Sequence, residues 1–265
     1  MKKLSHREIQ MAGLDILLEF DRYCHKHGLR YYITYGTLLG AIRHSGFIPW
    51  DDDIDVCMSR PEYIKLMKSS LKFSSDRFQM RSSYLNNLDA PFSELIDTSL
   101  YGRSKFSNSP RYSSWGIDIF PVDGLSDDDK VNKRIYMKQD LLKKLINISE
   151  SKNNGRNVLR KFIKMLVRPL CRIYGVDRLV SKLNNLAMTM EYESSEYVGV
   201  IAWGEGVQER IRKEDFEKQV GVSFEGHIFP TFSCWDTYMH NIYGNYMELP
   251  PMELRVSHDT EVYRI

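Results

Sequence analysis

Apolar positions recur at helical spacing near the start of the chain. Ile9, Leu14, Leu17, Leu18 and Cys24 share a side and Gly28 supplies a stop, which predicts a helix over residues 5–27. The period then changes. Tyr31-Tyr32-Ile33-Thr34-Tyr35 is aromatic and β-branched and reads as a strand. Gly36 breaks it, and Thr37 to His44 reads as a short helix ended near Gly46. Acids alternate with apolar residues after Asp53, so Ile54 to Met58 reads as a second strand. Ser59-Arg60-Pro61-Glu62 matches a capping box and opens a helix to about Leu71. Residues 82–113 are rich in Ser, Asn, Pro and Tyr and read as loops around one short strand, Ser93 to Asp97. Trp115 to Phe120 is a third strand, followed by a turn or linker from Pro121 to Asp129. From Lys130 to Arg172 the pattern is helical, split near Asn153-Asn154-Gly155. A further helix covers about residues 177–192, residues 197–235 are strand-rich, and Asp236 to Tyr243 is helical.

The chain has 265 residues, 42% hydrophobic and 27% charged, which predicts one sizeable core and a soluble protein. A net charge of +2 is too small to imply nucleic acid as a partner. Cys24, Cys57, Cys171 and Cys234 are far apart, without the spacing of zinc ligands, so free thiols are expected. The opening residues lack the apolar run of a signal peptide, and no uncharged stretch is long enough to span a bilayer. A reducing, cytoplasmic setting is the expectation.

The chemistry concentrates in Asp51-Asp52-Asp53-Ile54-Asp55. In a strand, Asp53 and Asp55 point to one face while Ile54 and Val56 point to the core. Asp118 stands in the same pattern, Ile117-Asp118-Ile119. If the two strands are neighbours, three carboxylates converge, an arrangement that suits one or two Mg²⁺ ions clamping phosphate oxygens. A calcium loop starting at Asp51 is the weaker reading, because its sixth position needs glycine and holds Val56. A solvated acidic turn accounts for Asp51 and Asp52 but not for acids flanked by apolar strand residues. Gly36 and Thr37, where a strand gives way to a helix, can hold a phosphate through backbone N–H groups; equally, Thr37 can be an N-cap. Arg43 and His44 either reach that phosphate or complement the helix dipole. Trp50 and Pro49 fix the loop that enters the acidic strand.

These segments carry a resemblance. Gly36 to Gly40 and Phe47 to Asp55, then Trp115 to Pro121, Phe224-Glu225-Gly226 and Tyr243 to Met247 with Pro250-Pro251, resemble the LicD family, which is related to the fukutin-type transferases. The resemblance implies a nucleotidyltransferase-like sheet with flanking helices, in an α+β (mixed α/β) fold. It implies a catalytic core over residues 1–129, a basic helical insertion at 130–195 that it does not cover, and a C-terminal part at 196–265 completing the core. It further implies a CDP-alcohol donor, most often CDP-choline, a glycan acceptor that can be lipid-linked, and CMP as product. Asp53 and Asp55 would hold Mg²⁺, or Mn²⁺ in its place. Asp118 would be the third ligand or the base, and Asp51 an outer carboxylate orienting water. Gly36, Thr37, Arg43, His44 and Trp50 would serve the nucleotide or substrate. A choline head calls for cation–π contacts. Trp115 and Tyr243 are the first choices among Trp50, Trp115, Trp203, Trp235, Tyr243 and Tyr246, most of which are expected in the core. His258 is read as a surface residue.

In the basic middle, Arg160, Lys164, Arg168 and Arg172 share a helical face opposite Leu159, Phe162, Ile163, Leu166, Leu170 and Ile173. Residues 158–174 would either lie on an anionic membrane surface or, as the favoured reading, pack their apolar side on the core with the basic side in water. Two rivals to the transferase remain at this stage. One is a nucleotidyltransferase that releases pyrophosphate from an NTP; the other is a non-catalytic binding protein of the same fold.

Overall fold

The computed structural model describes residues 1–105, 107, 109–152, 158–257 and 260–265, apart from the side chains of 110, 111 and 158–163. In chain order the elements are β1 (Lys2–Lys3), α1 (His6–His27), β2 (Tyr32–Ile33), α2 (Tyr35–His44), β3 (Asp55–Ser59) and α3 (Arg60–Lys68). β4 (Phe78–Arg81), β5 (Ser93–Asp97), β6 (Leu100–Ser104) and β7 (Trp115–Leu125) follow, then α4 (Asp129–Glu150), α5 (Val158–Tyr174) and α6 (Val176–Ala187). The C-terminal part holds β8 (Tyr197–Gly199), β9 (Ile211–Arg212), α7 (Lys213–Glu217), β10 (Gln219–Phe224), β11 (His227–Phe232), α8 (Trp235–Tyr243) and β12 (Thr260–Arg264). The fold is α+β, as the sequence predicts.

The main sheet runs β2-β3-β7-β5-β4, with β8 added along the far half of β7 and β9 beyond β8. β3 and β7 are parallel; the other pairs are antiparallel. α1 covers one face. Ser5 and Glu8 form the capping box that starts it, and Gly28 ends it in the left-handed conformation. Gly13 lets it close on the sheet, since a Cβ there would lie 3.3 Å from Ile54 Cδ1. The largest apolar cluster spans this layer and includes Phe20, Ile33, Ile54, Val56, Phe92 and Ile119.

Three expectations change. The segment after Phe120 is not a linker: β7 continues to Leu125 and pairs with β8. Pro121 is tolerated because, on that edge, it falls between the last β5 partner at Ile119 and the first β8 partner at Asp123. The loop-rich stretch holds a second strand, β6, which pairs with β12, and β4 precedes it, both with weak patterns. α2 begins at Tyr35 with Thr34 as N-cap residue, so Thr37 is no cap.

The basic helix also turns over. Arg168 Nε donates to Ile148 O at 3.3 Å, Arg172 Nε to Ser149 O at 3.3 Å, and Lys164 Nζ to Ser151 Oγ at 3.2 Å. The carbonyls ending α4 attract these cations because helix C-termini carry unsatisfied acceptors and partial negative charge. The side left in water is apolar: Leu170 is 66% and Ile173 80% exposed, beside exposed Met165 and Leu166. The side chains of Leu159, Arg160, Phe162 and Ile163, the expected break at 153–155 and His258 lie outside the described residues.

Candidate active site

Register brings the acids together. Asp55 pairs with Asp118 across β3 and β7, Glu94 pairs with Asp118 across β5 and β7, and Arg81 pairs with Glu94 on β4. Paired residues on neighbouring strands share a face, so one row of charged side chains crosses four strands. Ile54 and Val56 are buried on the opposite face under α1. Asp53 precedes β3 with the same parity as Asp55. Arg81 Nη1 lies 3.8 Å from Glu94 Oε2, a partial counter-charge at the end of the row.

The Gly36 turn stands against this row. A Cβ on Gly36 would lie 2.8 Å from Asp51 Oδ2, so that carboxylate fills the space a side chain would need, and 4.0 Å from Asp55 Oδ2, an ordinary contact. Thr37 Oγ1 accepts from the Asp55 N–H at 2.8 Å, tying the helix to the acidic strand. The N-cap residue Thr34 makes no side-chain cap of α2; its Oγ1 instead meets Tyr238 Oη at 3.1 Å. Tyr35 takes φ of 45°, a conformation costly for a bulky residue. Its phenol donates to Glu209 at 2.6 Å, which holds it there. Burial pushes the Glu209 carboxyl up to about 7, against the lowering effect of the Tyr35 hydrogen bond.

Two clefts meet at the acids. One, about 510 Å³, has Gly36, Asp51, Asp55, Glu205 and Tyr243 in its wall. The other, about 350 Å³, has Glu94, Trp115, Tyr112 and Asn147. Asp53, Asp118 and Trp203 line both. Lys143 Nζ reaches the carbonyls of Trp203 and Gly204 at 3.2 Å each and lies 5.2 Å from the Trp203 ring centroid, which fixes the indole at the junction.

Trp115 and Tyr243 therefore face different clefts. Arg43, His44 and Trp50 line neither of these clefts. Arg43 Nη1 donates to Tyr246 O at 2.9 Å, Nε meets His44 Nε2 at 3.0 Å, and Trp50 lies under the Arg43 and Arg255 guanidinium groups. This group binds the C-terminal tail to α2. Val56, the sixth position of the calcium-loop reading, lies inside β3, and Glu62 accepts from the Arg30 N–H at 3.2 Å and pairs with Lys65 at 2.6 Å. Glu94 and Glu209 were not singled out from sequence as site residues, and Trp203 stood only in the wider set of candidate aromatics. An acid inside the apolar run Phe92 to Ile96 was the available signal for Glu94.

The donor set suits Mg²⁺. Its atoms are carboxylate oxygens only, and Gly36 leaves room beside two of them. Among the described residues no group of three or more His, Cys, Asp or Glu side chains is placed to hold a metal ion. Mg²⁺ does not require one, because it keeps waters and takes substrate phosphate oxygens alongside one or two carboxylates.

Two neighbouring parallel strands, β3 and β7, thus carry an Asp-x-Asp and a third acid, with a glycine turn opposite. The sequence profile of the LicD/FKTN/FKRP nucleotidyltransferase domain matches residues 28–172, and the chain belongs to this family. It is 27% identical over 263 residues, 97% of each chain, to the lipopolysaccharide cholinephosphotransferase LicD of Haemophilus influenzae. An uncharacterized protein of Rickettsia prowazekii is 46% identical over 43 residues, 16% of each chain.

Proposed function

We propose that the chain transfers phosphocholine, or a related phospho-alcohol, from a CDP-alcohol to a hydroxyl of a cell-surface glycan or its lipid-linked precursor, releasing CMP. The observation that carries this reading is the position of Asp53 and Asp118 in the walls of both clefts. A two-substrate transfer needs a reacting centre shared by two binding sites. The full-length similarity to a lipopolysaccharide cholinephosphotransferase supports the choice of substrates.

The cleft beside Gly36 is the donor side. The N-terminus of α2 in its wall favours a diphosphate. Trp203, Tyr243 and the Glu205 carboxylate suit a quaternary ammonium head. Asp53, Asp55 and Asp118 would hold Mg²⁺ or Mn²⁺, with Asp51 outside them, and the ion would supply charge neutralisation to the phosphate oxygens. The cleft beside Glu94 is the acceptor side. The acceptor oxygen attacks the phosphorus bearing the alcohol, a P–O bond forms, and the bond to the bridging oxygen breaks. CMP leaves with that electron pair. Glu94 faces the acceptor cleft and not the donor cleft, so its Oε is the site assigned to receive the hydroxyl proton.

The test is product analysis. The pure protein is incubated with Mg²⁺, a panel of CDP-alcohols and deacylated lipopolysaccharide core oligosaccharide. Acceptor-dependent CMP release is expected. Pyrophosphate from an NTP without CMP from any CDP-alcohol would instead favour a nucleotidyltransferase. A biological role that survives Asp53→Asn would favour a binding protein.

The reading extends to location. Among the described residues no helix is long and apolar enough to cross a membrane. The exposed stripe of Met165, Leu166, Leu170 and Ile173 on α5 suits shallow insertion into a bilayer. Tyr174 ends the stripe, with Lys182 Nζ and Arg178 Cζ 4.9 and 6.0 Å from its ring centroid. An aromatic under two cations complements anionic headgroups. A cytoplasmic protein touching the inner membrane in this way would meet lipid-linked acceptors where they are assembled.

A further inference from the structure

The acceptor cleft does not end at Asn147. Beyond it lies a third cavity of about 510 Å³, between the end of α4 and strands β6 and β12. Tyr112, Asn147 and Thr260 line both cavities, so the two are one trough with these residues at its neck. We infer that this trough binds an oligosaccharide over more than one sugar residue, with the reacting hydroxyl at Glu94 and the next residues beyond the neck. The inference rests on the transferase reading for its direction and deepens it by giving the acceptor's size and chemistry.

The wall chemistry carries the argument. Past the neck, Ser104, Ser107 and Ser151 contribute hydroxyls, beside Lys144 and Lys164. Hydroxyls and amides both donate and accept, which matches the vicinal diols of a sugar. Trp115 and Trp203 supply flat apolar surface near the acids, the surface on which a pyranose face can rest. Trp115 is nine-tenths buried and its indole N–H has no acceptor among the described residues. Asp53, Glu94 and Asp118 at the inner end disfavour a ligand that brings further negative charge there.

Asn147 is exposed at the neck and outside the acid row, so its replacement should leave the core intact. Asn147→Trp obstructs the neck; Asn147→Ala only removes its amide. Two readouts separate the trough from the catalytic reading. In saturation-transfer NMR without donor, deacylated lipopolysaccharide core oligosaccharides should receive transfer from the wild-type protein and at least fivefold less from Asn147→Trp. In the CMP-release assay, kcat/KM for the oligosaccharide should exceed that for a methyl hexoside at least tenfold. Asn147→Trp should remove that advantage through KM. Asn147→Ala should fall between. Equal binding by wild type and Asn147→Trp, or no oligosaccharide binding to the wild type, overturns the trough. Binding that is lost in Asn147→Trp, with no CMP under any condition, supports the trough and overturns the transferase reading.

Discussion

Tyr35 donates its phenolic hydrogen to Glu209 at 2.6 Å beneath the turn that carries Gly36. The bond links the loop before β9 to the strained first residue of α2, and so to the donor side of the centre. Its carboxyl is held up to about 7 by burial.

The sign of the resulting pH dependence follows. The folded protein binds this proton more tightly than the unfolded chain does. The Glu209 contribution is therefore fully present below about pH 4.5, and is lost as pH rises through about 7. Urea unfolding at pH 5 and pH 8 should show the wild type losing roughly 2–3 kcal/mol relative to Glu209→Gln over that interval. Parallel profiles for the two proteins would contradict the assignment.

Gly36→Ala tests the space at the turn. The new Cβ would meet Asp51 Oδ2 at 2.8 Å, so the Asp51 carboxylate has to shift. We expect at least a tenfold fall in kcat. Because alanine tolerates helix geometry well, the melting temperature should move by only a few degrees. Full activity would mean that the Asp51 position is immaterial.

Arg60 and Asp123 form a buried two-pronged ion pair, with Nε–Oδ1 at 2.6 Å and Nη2–Oδ2 at 2.7 Å, joining α3 to β7. Asp123→Ala leaves the guanidinium buried without its counter-charge and should cost about 3–5 kcal/mol in denaturant unfolding. A loss below about 1 kcal/mol would place the pair in the range of exposed ion pairs.

Vesicle sedimentation tests α5. Leu170 and Ile173 are largely in water, so Leu170→Glu with Ile173→Glu should leave the melting temperature unchanged. The double variant should lose most binding to phosphatidylglycerol-rich vesicles, because it places two charges on the inserting face. Equal sedimentation of both proteins would remove the membrane contact.

Much of this was legible in the chain. The alternation around Asp55 and Asp118 identified two acid-bearing strands, and their apolar flanks, Val56 and Ile119, are partners in register. The Ser5 and Gly28 signals bounded α1. Glu94 escaped because an acid inside a five-residue strand gives no periodic signal, and its place in the row follows from the pairing with Asp118. α5 misled because spacing defines two faces but not which one meets the protein. The carbonyls ending α4, a tertiary feature, chose the basic face. β7 ran past Pro121 because strand pairing along that edge, which no local pattern encodes, leaves a gap there.

The most direct measurement concerns the acids where the clefts meet. CMP release from CDP-choline, with oligosaccharide acceptor and Mg²⁺ titrated from zero, is followed for the wild type, Asp53→Asn and Asp118→Asn, each checked for an unchanged circular-dichroism spectrum. The account predicts Mg²⁺-dependent turnover in the wild type and at least a hundredfold loss in each folded variant. Turnover within threefold of wild type in either variant, or turnover that ignores added Mg²⁺ and chelator alike, would contradict it.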